Sequence, residues 1–155
     1  MRALLAALLL SAAIPVKPAA EIPHLVADVS HGKPAVLHFF ATWCGACREE
    51  FPRVRAELLA LEKQGMSVAL ISVDQPDKGA AVEAMVRKYG LSSLPTMILD
   101  APSPDPVAAA VGVKDWDGSL PATFVYDAQG KLVKSFIGRA EPQDLARSAA
   151  AARRE

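Results

Sequence analysis

Two cysteines three residues apart, in the run Trp43-Cys44-Gly45-Ala46-Cys47, constrain this chain more than any other feature, and they are its only cysteines in 155 residues. Two thiols rule out a disulfide-dense miniprotein and a four-cysteine zinc site. A redox couple, a metal pair and a covalent staple remain. The run follows Ala35-Val36-Leu37-His38-Phe39-Phe40, which reads as a buried strand with one polar interruption. It opens a segment with Val54, Leu58, Leu59 and Leu61 on one face, which reads as a helix from Cys44 to about Gln64. Both sulfurs then fall in the first turn of a helix, where unpaired N–H groups and the helix dipole favour an anion. Cys44, the earlier residue, is expected to be the more exposed and the better thiolate. Thiols so placed have pKa values of about 3.5–7.5, against about 8.5 for a free one. Cys47 is then the resolving thiol, which breaks a mixed disulfide from within.

The other readings fare worse. A staple closing so short a loop contributes only about 2 kcal/mol, which a chain that is 52% apolar hardly requires. A metal pair needs two more ligands. The histidines are His24, His31 and His38, and only His38 lies on an element leading to the cysteines. A haem attachment would need histidine after Cys47, where Arg48 stands. No metal and no bound cofactor are therefore expected. The 17 basic and 17 acidic side chains cancel, which leaves no electrostatic footprint for nucleic acid.

The first twenty residues read as a separate piece. Met1-Arg2 is followed by an apolar run from Ala3 to Leu10 that continues through small residues to Val16. One basic residue before a short apolar core is the pattern of a secretory signal, and the run is shorter than the roughly 20 residues a spanning helix needs. Residues 1–20 are read as a leader, either cleaved or kept as a membrane tether, and 21–155 as one domain. Small residues at Ser11-Ala12-Ala13 and at Ala20 offer two places for a cut. Export puts the chain where disulfides persist.

Beyond the leader, 21–31 is a short irregular or helical stretch. Strands are expected at 35–40, 66–73, 96–99, 121–126 and 131–137, and helices at 44–64, 79–89, 107–111 and 141–153. Pro52 is expected to kink the first of these helices. Residues 100–106, with three prolines, read as a loop. Asp127-Ala128-Gln129-Gly130 reads as a hairpin turn. Early strand–helix alternation implies parallel strands with right-handed crossovers, and the terminal hairpin adds an antiparallel edge. The expected fold class is α/β, a mixed sheet with helices on both faces. Gly138 is expected to let the last strand approach a neighbour closely. Arg48 and Glu50 read as a solvated helix face.

The run from Gly32-Lys33-Pro34 through Trp43-Cys44-Gly45-Ala46-Cys47 to Arg48-Glu49-Glu50-Phe51-Pro52 resembles the exported TlpA-like (ResA-type) branch of the thioredoxin superfamily. So do Pro52 five positions after the second cysteine and the stretch from Leu120-Pro121-Ala122-Thr123 through Gly130 to Val133. The resemblance implies a thioredoxin-like three-layer α/β/α sandwich with an extra strand–helix insertion, here about 94–112, and a terminal β-hairpin. It implies thiol–disulfide exchange by a monomer without a bound cofactor. Protein disulfides, apocytochrome c among them, would be the substrates, and a membrane thiol carrier the source of electrons. It also implies a cis proline facing the cysteines; Pro95 and Pro121 are the candidates, and Pro121, which opens the hairpin, is favoured. Leu120 would then pair its backbone with the substrate chain as an added strand.

Trp43 is expected to cover the sulfurs and offer an apolar contact, while Trp116 either lines the groove or anchors its own loop. His38 departs from the thioredoxin pattern, which has a buried acid six positions before the first cysteine. Strand alternation points it to the interior beneath the active site. It is either a base for Cys47 or a hydrogen-bonded core histidine. Two rivals share this fold. A copper or zinc chaperone would use a distant histidine, and none follows His38. A binding domain with a residual cysteine pair would not turn over. A peroxidase lacks its threonine–cysteine spacing here.

Overall fold

A computed structural model describes residues 13–155. Residues 1–12, most of the expected leader, lie outside the described residues. Six strands form one mixed sheet: β1 (Val16–Pro18), β2 (Ala35–Phe40), β3 (Ser67–Ser72), β4 (Thr96–Asp100), β5 (Ala122–Tyr126) and β6 (Leu132–Ile137). They lie side by side in the order β1-β4-β3-β2-β5-β6. The first four run parallel, and β5 and β6 run antiparallel to their neighbours. The central strand β2 is buried along its whole length, as its unbroken apolar run predicts.

Five helices cover the two faces: α1 (Leu25–Ser30), α2 (Gly45–Lys63), α3 (Gly79–Lys88), α4 (Pro104–Val111) and α5 (Pro142–Arg154). Period-2 alternation divides the sheet's side chains between two cores. Val36, Phe40, Val68, Leu70 and Val125 pack with α2, α3 and α5. Leu37, Phe39, Ala69, Ile71, Ala122 and Phe124 pack with α1, α4 and Trp116. The result is the three-layer sandwich expected.

The element boundaries shift in informative ways. β1 lies inside the stretch read as leader. Its parallel pairing sets Val16 opposite Ile98, and the Ile98 N–H donates to the Pro15 carbonyl at 2.9 Å. The folded unit therefore begins before residue 21. Helix α4 starts at Pro104, three residues earlier than expected, with Pro104 and Pro106 in its first turn. Proline is tolerated there because those N–H groups have no helical partner. Helix α2 runs from Gly45 to Lys63 with Pro52 inside it.

The hairpin turn is held by Asp127, whose Oδ1 accepts from the N–H groups of Gln129 and Lys131, both at 2.9 Å. Gly138 serves a different purpose from the one expected. A Cβ there would meet nothing within 4 Å, so close approach is not the reason for glycine. Its φ of +90° is, since that is a backbone region other residues rarely adopt. In that conformation its N–H donates to the Pro121 carbonyl at 2.8 Å.

Candidate active site

The end of β2 and the start of α2 bring the cysteines to one edge of the sheet. Cys44 is the N-cap of α2, and Cys44 and Cys47 are joined as a disulfide. The Cys47 N–H donates to Cys44 Sγ at 3.1 Å. This is the contact a helix N-terminus offers an anion, so it favours Cys44 as a thiolate once the bond is opened. Both cysteines are buried, Cys44 at 7% exposure and Cys47 at 0%. Trp43 stands out beside them at 67% exposure.

The loop that carries Trp43 is braced from below. Buried Asp74, just past β3, accepts from Thr42 N–H at 2.8 Å, from Thr42 Oγ1 at 2.6 Å and from Ser72 Oγ at 2.8 Å. Arg48 is exposed, as expected, and its guanidinium donates to the Thr42 carbonyl at 2.6 Å. Across the site, the Leu120–Pro121 peptide bond is cis, and it is the only cis bond among the described residues. Pro95 is trans.

Glu50 corrects the sequence reading. It is not on a solvated face but wholly buried. It lies three residues after Cys47, and thus on the same side of α2. Its Oε1 accepts from the Ala140 N–H at 2.7 Å, and its Oε2 lies 3.6 Å from His38 Nε2. His38 is 1% exposed, and its other ring nitrogen, Nδ1, is 2.9 Å from Thr123 Oγ1. Oε2 and Nε2 are the two buried side-chain atoms without a hydrogen-bond partner among the described residues. Burial pushes the Glu50 carboxyl up to about 7, against the pull of the Ala140 N–H, and pushes His38 down to about 4. Near neutrality, then, a neutral imidazole faces a carboxyl poised to gain or lose one proton. His38 points to the interior on the α2 side, as alternation predicts.

Spacing alone could have found Glu50. Cys47, Glu50, Val54, Leu58 and Leu61 are the buried side of α2, at helical intervals. Thr123 carries no comparable signal, because its partner His38 is distant in sequence, and the bonds by which Asp74 braces the loop go to Thr42, 32 residues away. Trp116 is an anchor: its Nε1 donates to the Ser119 carbonyl at 3.0 Å, and its ring packs edge-on against Phe39 and Phe124. Among the described residues, no three His, Cys, Asp or Glu side chains are grouped so as to hold a metal ion.

A model of the family described as AhpC/TSA matches residues 18–135, which include both cysteines and the cis proline. The chain belongs to the AhpC/TSA family. It is 32% identical over 114 residues to the thiol-disulfide oxidoreductase ResA of Geobacillus thermodenitrificans, a match covering 74% of this chain and 60% of that protein. The match thus spans less than two thirds of that relative's length. Among solved structures it is similar to a DsbF homologue from Corynebacterium diphtheriae, with a TM-score of 0.65 and 25% identity over 81% of this chain and 75% of that one. It is also similar to a secreted Mycobacterium tuberculosis disulfide oxidoreductase homologous to DsbE. That TM-score is 0.56, with 26% identity over 81% and 85% of the two chains. The fold is thioredoxin-like, as the resemblance in the sequence implies.

Proposed function

We propose that this protein is an exported thiol–disulfide oxidoreductase that reduces protein disulfides through the Cys44–Cys47 couple. The observation that carries the reading is the pair itself, Cys44 capping α2 at 7% exposure and a wholly buried Cys47 bonded to it. In the reduced protein the Cys44 thiolate attacks one sulfur of a substrate disulfide. A Cys44–substrate bond forms, the substrate bond breaks, and the departing thiolate takes up a proton. Cys47 then loses its proton and attacks Cys44 Sγ. The second substrate thiol leaves, and the Cys44–Cys47 disulfide forms. Two electrons pass from protein to substrate, and a dithiol donor, in this reading a membrane thiol carrier, restores them.

Glu50 is the acceptor for the Cys47 proton in this scheme, because it is buried on the same side of α2 with one oxygen unpartnered. His38 acts through Glu50 as a positioning residue. Leu120 and Pro121 offer backbone to the substrate chain, and Trp43 an apolar contact. Gly45-Ala46 contributes no charge between the cysteines that would favour the reduced form, which supports a reductant over a strong oxidant. The disulfide of oxidised apocytochrome c is one substrate of the required chemistry.

Export rests on the leader pattern and on the similarity to a secreted oxidoreductase. A cut after Ala13 leaves β1 in the sheet, whereas a cut after Ala20 removes it. The testing experiment is insulin reduction with dithiothreitol as donor. The wild type accelerates precipitation of the insulin chains and Cys44→Ser does not. Equal rates for the two would overturn the reading.

A further inference from the structure

A cavity of about 250 Å³ opens beside Trp43, the residue before Cys44. Its floor is apolar, made by Val73 after β3, Leu99 of β4, Val107 of α4 and Trp116. Trp43 forms one wall, and the polar side chains, Ser103 and Asp117, are exposed at the rim. We propose that this cavity is a specificity pocket for a large apolar side chain flanking the cysteine of a substrate peptide. The inference rests on the oxidoreductase reading above and adds to it the class of sequence preferred.

Three observations select this occupant. The first is continuity with the site. Trp43 adjoins Cys44, and Trp116 holds the Ser119 carbonyl, one residue before the Leu120–Pro121 segment that would pair with substrate. A residue flanking the cysteine of a peptide bound at Cys44 is thus within reach of the cavity that both tryptophans line. The second is size. An apolar cavity of about 150 Å³ accepts benzene, so this one holds a single phenylalanine or leucine side chain. The third is charge. Ser119 donates from its N–H to Asp117 Oδ1 at 2.9 Å and from its hydroxyl to the same oxygen, which keeps the carboxylate ionised at the rim. An acidic side chain is repelled there. The pocket depends on α4 and the loop after β4, so the insertion between β3 and the hairpin gains a role in recognition.

The test uses fully reduced protein in single-turnover exchange, followed by tryptophan fluorescence. The substrates are three glutathionylated peptides that differ only in the residues on both sides of cysteine: Phe, Ala or Glu. Each turnover converts the two protein thiols to the disulfide and releases peptide thiol and glutathione. The Phe peptide is expected to react about tenfold faster than the Ala peptide, and the Glu peptide more slowly than either. Filling the rim with Ala101→Trp or Ser103→Trp is expected to bring the Phe-to-Ala ratio to within about twofold of one. A wild-type ratio near one, with all peptides reacting, overturns the pocket and leaves the oxidoreductase reading standing. A ratio preserved in both variants also overturns it. So does a wild-type dimer that either variant splits, since a second copy would then fill the cavity. Failure of every peptide to react defeats the oxidoreductase reading and the pocket with it.

Discussion

Both faces of the sheet carry packed aromatic rings, but they treat buried polar groups differently. On the side of α1 and α4, Phe39, Trp116 and Phe124 pack edge to face with ring centroids 5.1–5.5 Å apart. The one buried phenol there, Tyr126, donates to the Val111 carbonyl at 2.7 Å, so its polar atom is satisfied. On the side of α2, α3 and α5, the core holds the disulfide, His38 and Glu50, with two buried polar atoms left unpaired. An unpaired buried polar group costs about 1–3 kcal/mol. The face of α1 and α4 thus satisfies its buried phenol, and the other carries two unpaired polar atoms in the core that holds the disulfide.

That contrast breaks most visibly in Phe39→Ala. Removing a wholly buried ring from the face of α1 and α4 is expected to cost about 3–5 kcal/mol in denaturant unfolding, with no change in the pH dependence of exchange among molecules that remain folded. Glu50→Gln is the opposite case. It is expected to slow the resolving step by about 10²-fold and to flatten the pH–rate profile near 7. Stopped-flow kinetics would measure both, and a profile unchanged in shape would remove Glu50 from the proton path.

The same pair sets opposed trends in stability against pH. In the fold Glu50 binds its proton up to about pH 7, but near 4.5 when unfolded. Its contribution is full below 4.5 and is lost as pH rises through 7. His38 titrates near 4 folded and 6.5 unfolded. Its contribution is full above 6.5 and is lost as pH falls through 4. Between about pH 4.5 and 6.5 the two trends offset one another. Glu50→Gln is expected to make stability climb with pH across that window and His38→Asn to make it fall, each by roughly 2 kcal/mol. Urea midpoints at four or five pH values would show it, and parallel curves for the two variants would contradict it. Smallest is Tyr126→Phe, expected to cost about 1 kcal/mol with exchange rates unchanged.

On both faces of the sheet, the apolar runs of β2 and β5 and the helical spacing in α2 mark strands, helix and core in the sequence, because period and burial go together. The cysteines' position at a strand-to-helix junction pointed to their chemistry for the same reason: the junction creates the electrostatic environment. Glu50 was misread because a charged residue on a helix is usually solvated. Its burial depends on the Ala140 N–H, ninety residues away. β1 was missed because Val16-Lys17-Pro18 is too short for alternation to register and follows an apolar stretch with the composition of a leader. The proline-rich start of α4 looked like a loop because proline marks both loops and first helical turns.

The division of labour between the two sulfurs is tested most directly by trapping. Reduced Cys47→Ser and Cys44→Ser proteins would each be mixed with an oxidised protein substrate, and the mixed disulfides counted by intact mass. Cys47→Ser is predicted to accumulate a stable adduct through Cys44, and Cys44→Ser to form essentially none. Adducts at equal rates in both variants, or only in Cys44→Ser, would contradict the assignment of Cys44 as attacking thiol and Cys47 as the buried thiol that resolves.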